Sequence, residues 1–359
     1  MVTRVTLDEL LRTAVAQKAS DLHLTVGLPP QLRVHGTLVH LPGPPLTETD
    51  IQELAYTMLP PDQIAEFETR KELDTSYSIK GFSRFRVNLF RQRGSVAAAV
   101  RTIPFEIPTL QSLRLPPILE ELAAKPSGLL IVSGPTGSGK STTLAALLES
   151  INMKRECHIL SVEDPIEYLH RHRKSTINQR ELGNDTASFQ EALRHMVRQD
   201  PDVIMIGEMR DLDTMSAVLT LAETGHLVMT TLHTSDAVHA IQRIVDVFPA
   251  YQQTQIRLQL SLVLVAVVVQ QLLPRMDEKG RVVACEVMVA TPSVGNLIRE
   301  NQLHQLKTVI QTGRRSGMQT MNSALIELFQ QELVTWEEIA RRTTDLEELN
   351  QLAKTVLQH

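Results

Sequence analysis

The apolar run Leu129-Leu130-Ile131-Val132 leads straight into Gly134-Pro135-Thr136-Gly137-Ser138-Gly139-Lys140-Ser141, and then into Thr142-Thr143-Leu144. A buried strand, a glycine loop of the form G-x-x-x-x-G-K-S and a helix start leave few folds open: this is a P-loop in its proper context. Each residue type has a reason. Glycines let backbone N–H groups crowd around phosphate oxygens where a Cβ would obstruct. The helix N-terminus adds unpaired donors and partial positive charge. Lys140 can reach β- and γ-phosphates, and the Ser141 hydroxyl can ligate Mg²⁺. Residues 134–142 are therefore the expected phosphate cradle.

Strands and helices alternate from Gly128 onward. Expected strands are 129–133, 158–162, 203–206 and 227–231, and helix starts are expected at Lys140, Ser188, Asp213 and Asp236. Such alternation implies an α/β unit with a mostly parallel sheet covered on both faces. Functional groups should gather at the carboxyl ends of its strands. After about residue 290 the pattern is helical. At 359 residues the chain exceeds a typical single domain, and the first hundred residues carry their own α+β pattern. Leu7, Leu10, Leu11, Ala14 and Val15 describe an amphipathic helix, and Asp21–Thr25 alternates as a strand. Leu32, Val34 and Leu38 flank a turn at His35-Gly36, Thr47 and Asp50 open a helix, and strands are expected at 85–90 and 95–102. Prolines at 104, 108, 116 and 117 suggest an extended, stiff linker. The expected organisation is residues 1–102, a linker over 103–115, a core over 116–290 and a helical region over 291–359.

Three carboxylates, Glu163, Asp164 and Glu167, fall at the end of the second core strand, where a Mg²⁺ beside phosphates would relieve their repulsion. The alternative is a solvated acidic loop. The third strand, Val203-Ile204-Met205-Ile206-Gly207-Glu208, ends in an acid that can deprotonate or orient an attacking water, with glycine at the usual aspartate position. The alternative there is a carboxylate capping the next helix. His226 and His233 bracket the fourth strand and are candidate phosphate contacts. Arg84, Arg86 and Arg101 alternate with apolar residues on the N-terminal strands. They either present guanidinium groups to a nucleotide or form the solvated face of a half-buried strand.

Composition narrows the partners. Thirty-six basic and 41 acidic residues give a net charge of −5, no electrostatic reason to expect nucleic acid. Cys157 and Cys285 have no metal spacing and fit a reduced compartment. The most apolar stretch, 262–269, is far short of the roughly 20 residues a membrane-spanning helix needs, and no leader pattern opens the chain.

Together, residues 134–142, the acidic box at 159–168, the run Arg198-Gln199-Asp200-Pro201-Asp202 leading to Gly207-Glu208-Met209-Arg210-Asp211, and the histidine box at 221–233 resemble the type II/type IV secretion ATPase superfamily. Residues Asn296-Leu297-Ile298-Arg299-Glu300, Gly317-Met318-Gln319-Thr320 and Ser20-Asp21-Leu22-His23-Leu24 are similar to its pilus-retraction branch, although Ser293-Val294-Gly295 stands where that branch has Ala-Ile-Arg. The resemblance implies a PAS-like N-terminal domain, a RecA-like core and a homohexameric ring. It implies ATP as fuel, held between the two domains with Mg²⁺, Glu163 in the acidic box, Glu208 as catalytic base, and His226 and His233 in the histidine box. It further implies a cytoplasmic motor, peripheral at the inner membrane, that drives pilus disassembly through an inner-membrane platform protein. Two other readings remain: an accessory paralogue or related secretion or competence ATPase, and a RecA-like nucleic-acid translocase.

Overall fold

The computed structural model describes residues 6–34, 36–103, 106–277 and 280–357. Expectations that fell on His35 and Pro104 lie outside the described residues. The chain divides into two compact units, residues 1–106 with 167–169, and residues 107–166 with 170–359.

In the first unit α1 (Leu7–Ala16) precedes β1 (Asp21–Leu24), β2 (Gln31–Val34) and β3 (Thr37–His40). Then come α2 (Glu48–Tyr56), α3 (Pro61–Arg70), β4 (Glu72–Ile79), β5 (Ser83–Gln92) and β6 (Ser95–Ile103). The strands form one antiparallel sheet in the order β3-β2-β1-β6-β5-β4. Both α1 and α2 open with capping boxes, Thr6 with Glu9 and Thr47 with Asp50, which satisfy backbone N–H groups that a helix start leaves unpaired. Alternation does the rest: Phe85, Val87 and Leu89 turn inward on Leu11, Ile51 and Phe67, while Arg84, Arg86 and Asn88 line the other face. The sequence pattern did not reveal α3 or β4. Only Thr75 and Ile79 of β4 are buried, so this edge strand carries little apolar alternation.

The second unit runs α4 (Ile118–Ala123), β7 (Gly128–Ser133), α5 (Lys140–Lys154), β8 (His158–Glu163), β9 (Thr176–Glu181), α6 (Phe189–Met196), β10 (Val203–Ile206), α7 (Leu212–Glu223) and β11 (Leu227–Thr231). It continues with α8 (Ala237–Asp246), α9 (Ala250–Val263), β12 (Leu264–Pro274), β13 (Arg281–Val289), α10 (Pro292–Arg299), α11 (Leu306–Thr312), α12 (Met321–Gln330), α13 (Trp336–Arg342) and α14 (Leu346–Leu357). Its sheet has the order β13-β12-β7-β11-β10-β8-β9. All pairings are parallel except β12 with β13.

Period-2 geometry splits each central strand between two cores. Leu129 and Ile131 of β7 and Ile204 and Ile206 of β10 face the layer built from α6 to α10. Leu130, Val132, Val203 and Met205 face α4 and α5, where Leu119, Leu144, Leu147 and Leu148 wait. At roughly 1.5–3 kcal/mol for each buried aliphatic side chain, this double burial holds the carboxyl ends of the strands rigidly.

Two expectations need correction. The segment after residue 106 is not extended throughout: Leu115 is buried against the second core, with Leu110 and Leu113 packed on it, and Leu113 N–H and Leu115 N–H close turns on Thr109 and Leu110. Helix α7 starts at Leu212, because Asp211 rather than Asp213 accepts the capping bond, from Thr214 N–H. The apolar run 262–269 straddles two elements, the end of α9 and the buried strand β12. Among the described residues no helix is long and apolar enough to cross a membrane.

Candidate functional site

Strand β7 is buried along its whole length and ends at the loop 134–139. Gly134 has φ +135°, and a Cβ there would sit 2.3 Å from the Gln270 carbonyl oxygen, so only glycine fits. Gly139, left-handed at φ +89°, starts α5 with no side-chain cap, which leaves the helix's first N–H groups facing the loop. Lys140 is 8% exposed, and its Nζ donates to the carbonyls of Gly134 (2.8 Å) and Pro135 (3.1 Å). Pro135, Thr136, Gly137 and Ser141 are exposed, Thr142 is half-buried, and Ser138 is buried with its Oγ lacking a hydrogen-bond partner.

The neighbouring strands bring the acid and the imidazole together. In the β10–β11 register Ile206 lies opposite Thr230, so the residues two beyond each strand end become neighbours. Thr231 Oγ1 donates to the Gly207 carbonyl (2.6 Å), and Met209 N–H donates to the Thr231 carbonyl (3.1 Å). Glu208, mostly buried, accepts from His233 Nε2 at 3.1 Å and pairs with Arg210. Burial first, then the Lys140 and Arg210 cations, hold His233 below the ordinary histidine value of 6.5. A neutral ring with its proton on Nε2 fits both the direction and the bond to Glu208. The loop beyond is fixed to β7, since Thr234 N–H donates to Ser133 Oγ at 2.9 Å.

The acidic box does not converge. Glu163 turns inward, 8% exposed, while Asp164 and Glu167 point to solvent. Ser161 Oγ and Gln179 Nε2 both donate to Glu163 Oε1, at 2.7 and 3.1 Å. Among the described residues no group of three or more His, Cys, Asp or Glu could hold a metal by itself. A P-loop site does not need one: Mg²⁺ there takes a hydroxyl, phosphate oxygens, water and at most an acid or two, and the exposed Ser141 hydroxyl at the start of α5 fits that donor set.

His226 is not brought to this edge. It precedes β11, and its Nδ1 bonds the Leu221 carbonyl at 2.9 Å while Gly128 N–H donates to its own carbonyl. It thus sits at the amino ends of β7 and β11, the length of a strand away from the P-loop, closing the turn after α7. Arg84, Arg86 and Arg101 lie on one face of the N-terminal sheet, with Arg86 directly opposite Arg101. Arg101 Nε donates to Asp21 (3.0 Å) and Arg84 Nη2 to Ser76 Oγ (2.7 Å).

Gln270 is a site residue the sequence reading passed over. It is 1% exposed on β12 with an unpartnered Oε1, and its Nε2 lies 3.9 Å from the position a Cβ on Gly139 would take. It borders a cavity of about 180 Å³ beside the loop, lined by Ser138, Gly139, Thr142, Gln270, Leu272 and Arg281. Its signal was a glutamine ending an unbroken apolar run.

A glycine cradle on a parallel sheet, with an acid just beyond β10 and a histidine just beyond its neighbour β11, defines a RecA-like P-loop nucleoside triphosphatase. The chain belongs to the type II/IV secretion system protein family, which it matches over residues 1–356. It is 45% identical over 331 residues to the type IV pilus retractation ATPase PilT of Pseudomonas aeruginosa, covering 92% of this chain and 96% of that one. It is 41% identical over 347 residues to the type IV pilus ATPase PilU of the same organism, covering 97% and 91%. A crystal structure of the pilus retraction motor PilT with bound ADP superposes with a TM-score of 0.91 at 46% identity, covering 97% of this chain and 99% of that one. The Legionella pneumophila ATPase DotB superposes at 0.81 and 28%, covering 93% and 95%.

Proposed function

We propose that this chain is an ATP-hydrolysing motor that powers type IV pilus retraction. The observation that carries the reading is end-to-end likeness to PilT, at 45% identity over 96% of that protein. It is supported by an intact phosphate cradle and by the Glu208–His233 pair beside it. The loop N–H groups and Lys140 bind the phosphates. Glu208, ionised and held by His233 and Arg210, takes the proton of the attacking water. His233 keeps its proton on Nε2 and stays neutral at the acid. Ser141 and one of the acids Glu163 or Glu208 would hold Mg²⁺, which when bound neutralises charge on the β- and γ-phosphates.

The working form is a homohexamer at the cytoplasmic face of the inner membrane, acting on a pilus platform protein there. Residues 116–290 act as the catalytic core and residues 291–359 as the region that transmits its work. A second reading, a PilU-like accessory ATPase, is favoured by 41% identity to PilU over 97% of the chain and by Gly295 at the retraction motif. One experiment separates them. Deleting the gene should abolish twitching and increase surface pili, and the wild-type gene but not Lys140→Ala should restore movement. Loss of pili on deletion would overturn retraction, and unimpaired twitching wherever a PilT is present would favour the accessory role.

A further inference from the structure

Strand β10 is followed by Gly207-Glu208, with no side chain at Gly207 where a strand-end aspartate could stand. Next to it, Glu163 ends β8. Gly207 N–H donates to the Val162 carbonyl, and a Cβ on Gly207 would lie 3.5 Å from Glu163 Cα. The acid missing from one strand is thus present on its neighbour, and the structure shows what aims it. Ser161 and Gln179 are register partners across β8 and β9, so their side chains and that of Glu163, two residues on, project from one face. Both donate to the same carboxylate oxygen, Oε1.

The other end of the Gln179 amide decides its orientation. Gln179 Oε1 accepts from His170 N–H at 2.8 Å. A backbone N–H can only donate, so the amide oxygen must face it and the NH₂ must face Glu163. Turned that way, Gln179 presents its NH₂ to Glu163 as a donor, which fixes where Oε1 sits. His170 is itself anchored. Its imidazole is 1% exposed, with Nδ1 3.0 Å from Glu149 Oε2 on α5, the helix that starts at Lys140. Asn152 of the same helix donates to Glu149 (3.1 Å) and to the Arg171 carbonyl (2.7 Å). The position of Gln179 on β9 is therefore referred to the P-loop helix α5 itself, through the backbone and side chain of His170 in the intervening loop.

We propose that Gln179 is a positioning residue for ATP hydrolysis: it holds the Glu163 carboxylate in one orientation and in fixed register with the P-loop helix. The proposal rests on the ATPase reading above. It is tested with the full chain by measuring kcat and KM for ATP in the presence of Mg²⁺, for Gln179→Glu, Gln179→Met, Glu163→Gln and the double variant Glu163→Gln/Gln179→Met. Gln179→Glu keeps the length and the acceptor for His170 N–H, so the loop stays anchored while the donor to Glu163 is lost and a like charge is added. Its kcat should fall about tenfold or more with KM for ATP within about twofold, and Gln179→Met should fall about tenfold. Because Gln179 acts through Glu163, the double variant should be no slower than Glu163→Gln, within about twofold. A wild-type kcat in Gln179→Glu, or losses that multiply in the double variant, would overturn the positioning role while leaving Glu163 in place. A wild-type kcat in Glu163→Gln would remove the role of Glu163 and this proposal with it. Absence of ATP hydrolysis by the wild-type chain would instead sink the ATPase reading itself.

Discussion

His233 bonds Glu208 and lies within electrostatic reach of Lys140, and variants at these residues should separate binding from chemistry. Lys140→Ala removes the charge that meets the β- and γ-phosphates, so ATP affinity and turnover should both collapse in a binding and a turnover assay. Folding should survive, because Lys140 Nζ closes on the carbonyls of its own loop, Gly134 and Pro135. Glu208→Gln keeps shape but loses basicity. Turnover should fall by roughly two orders of magnitude or more while ATP stays bound, and a near-neutral effect would shift the base to Glu163. The histidine gives a signed pH effect. Its folded value is lowered, so on acidification the unfolded chain takes the proton first, and stability at this position is lost as pH falls below about 6.5. An NMR titration should put His233 below that value, and Arg210→Ala, which removes a repelling cation, should raise it. The P-loop was legible in the sequence because its residues are contiguous. The Glu208–His233 pair was legible only as two strand ends, since 25 residues separate them and the β10–β11 register brings them together. Burial of Glu163 was not legible, because Gln179 arrives from a strand whose polar face hides its alternation. Which end of β11 His226 occupies was not legible from its nearness to the strand. It precedes β11, and in a parallel sheet ligands gather beyond the carboxyl ends.

Helix α10 offers a test at the scale of the element. Thr291 caps it through Val294 N–H, Val294 and Ile298 are buried in the main core, Leu297 is half-buried against it, and Arg299 reaches Asn296 Oδ1 at 2.8 Å. Gly295 lets it pass close to α9: a Cβ there would be 3.2 Å from the Ser261 carbonyl oxygen. Ile298→Ala should cost about 2–5 kcal/mol in a denaturation curve, as deletion from a packed core does, and should lower ATP turnover and retraction together. Leu297→Ala removes less buried surface. If α10 transmits work, that variant should keep turnover within about twofold and still weaken retraction, measured on the same preparation and strain. Parallel loss in both variants would make α10 a packing element only. Elements whose burial changes with a clear period, such as α1 and β5, could be read from sequence, and the start of α5 from the P-loop that precedes it. Strand β12 could not be separated from the end of α9, because 262–269 is apolar at every position and a run without a period fits either state.

For the whole molecule, the division into two units was foreshadowed by the change from α+β to alternating α/β pattern. The path after residue 106 was not, because proline content restricts φ but does not say whether Leu110, Leu113 and Leu115 find a core. Assembly lies a step further out. A ring of six would have six times the 40.2 kDa subunit mass, which light scattering with ATP and Mg²⁺ would detect. A sharper test asks whether the subunits work together. Glu208→Gln subunits should bind ATP and assemble but not turn over, so wild-type and variant chains can be mixed, unfolded and reassembled together. If subunits hydrolyse independently, an equal mixture keeps about half the wild-type rate. If one dead subunit stalls a closed cyclic ring, only about one ring in 64 is fully wild type and the rate falls far below half. The prediction is the steep loss, read as ATPase rate against the fraction of variant chain. A straight line through one half would mean that this chain hydrolyses ATP one subunit at a time, and a retraction motor would then need its coupling supplied by a partner.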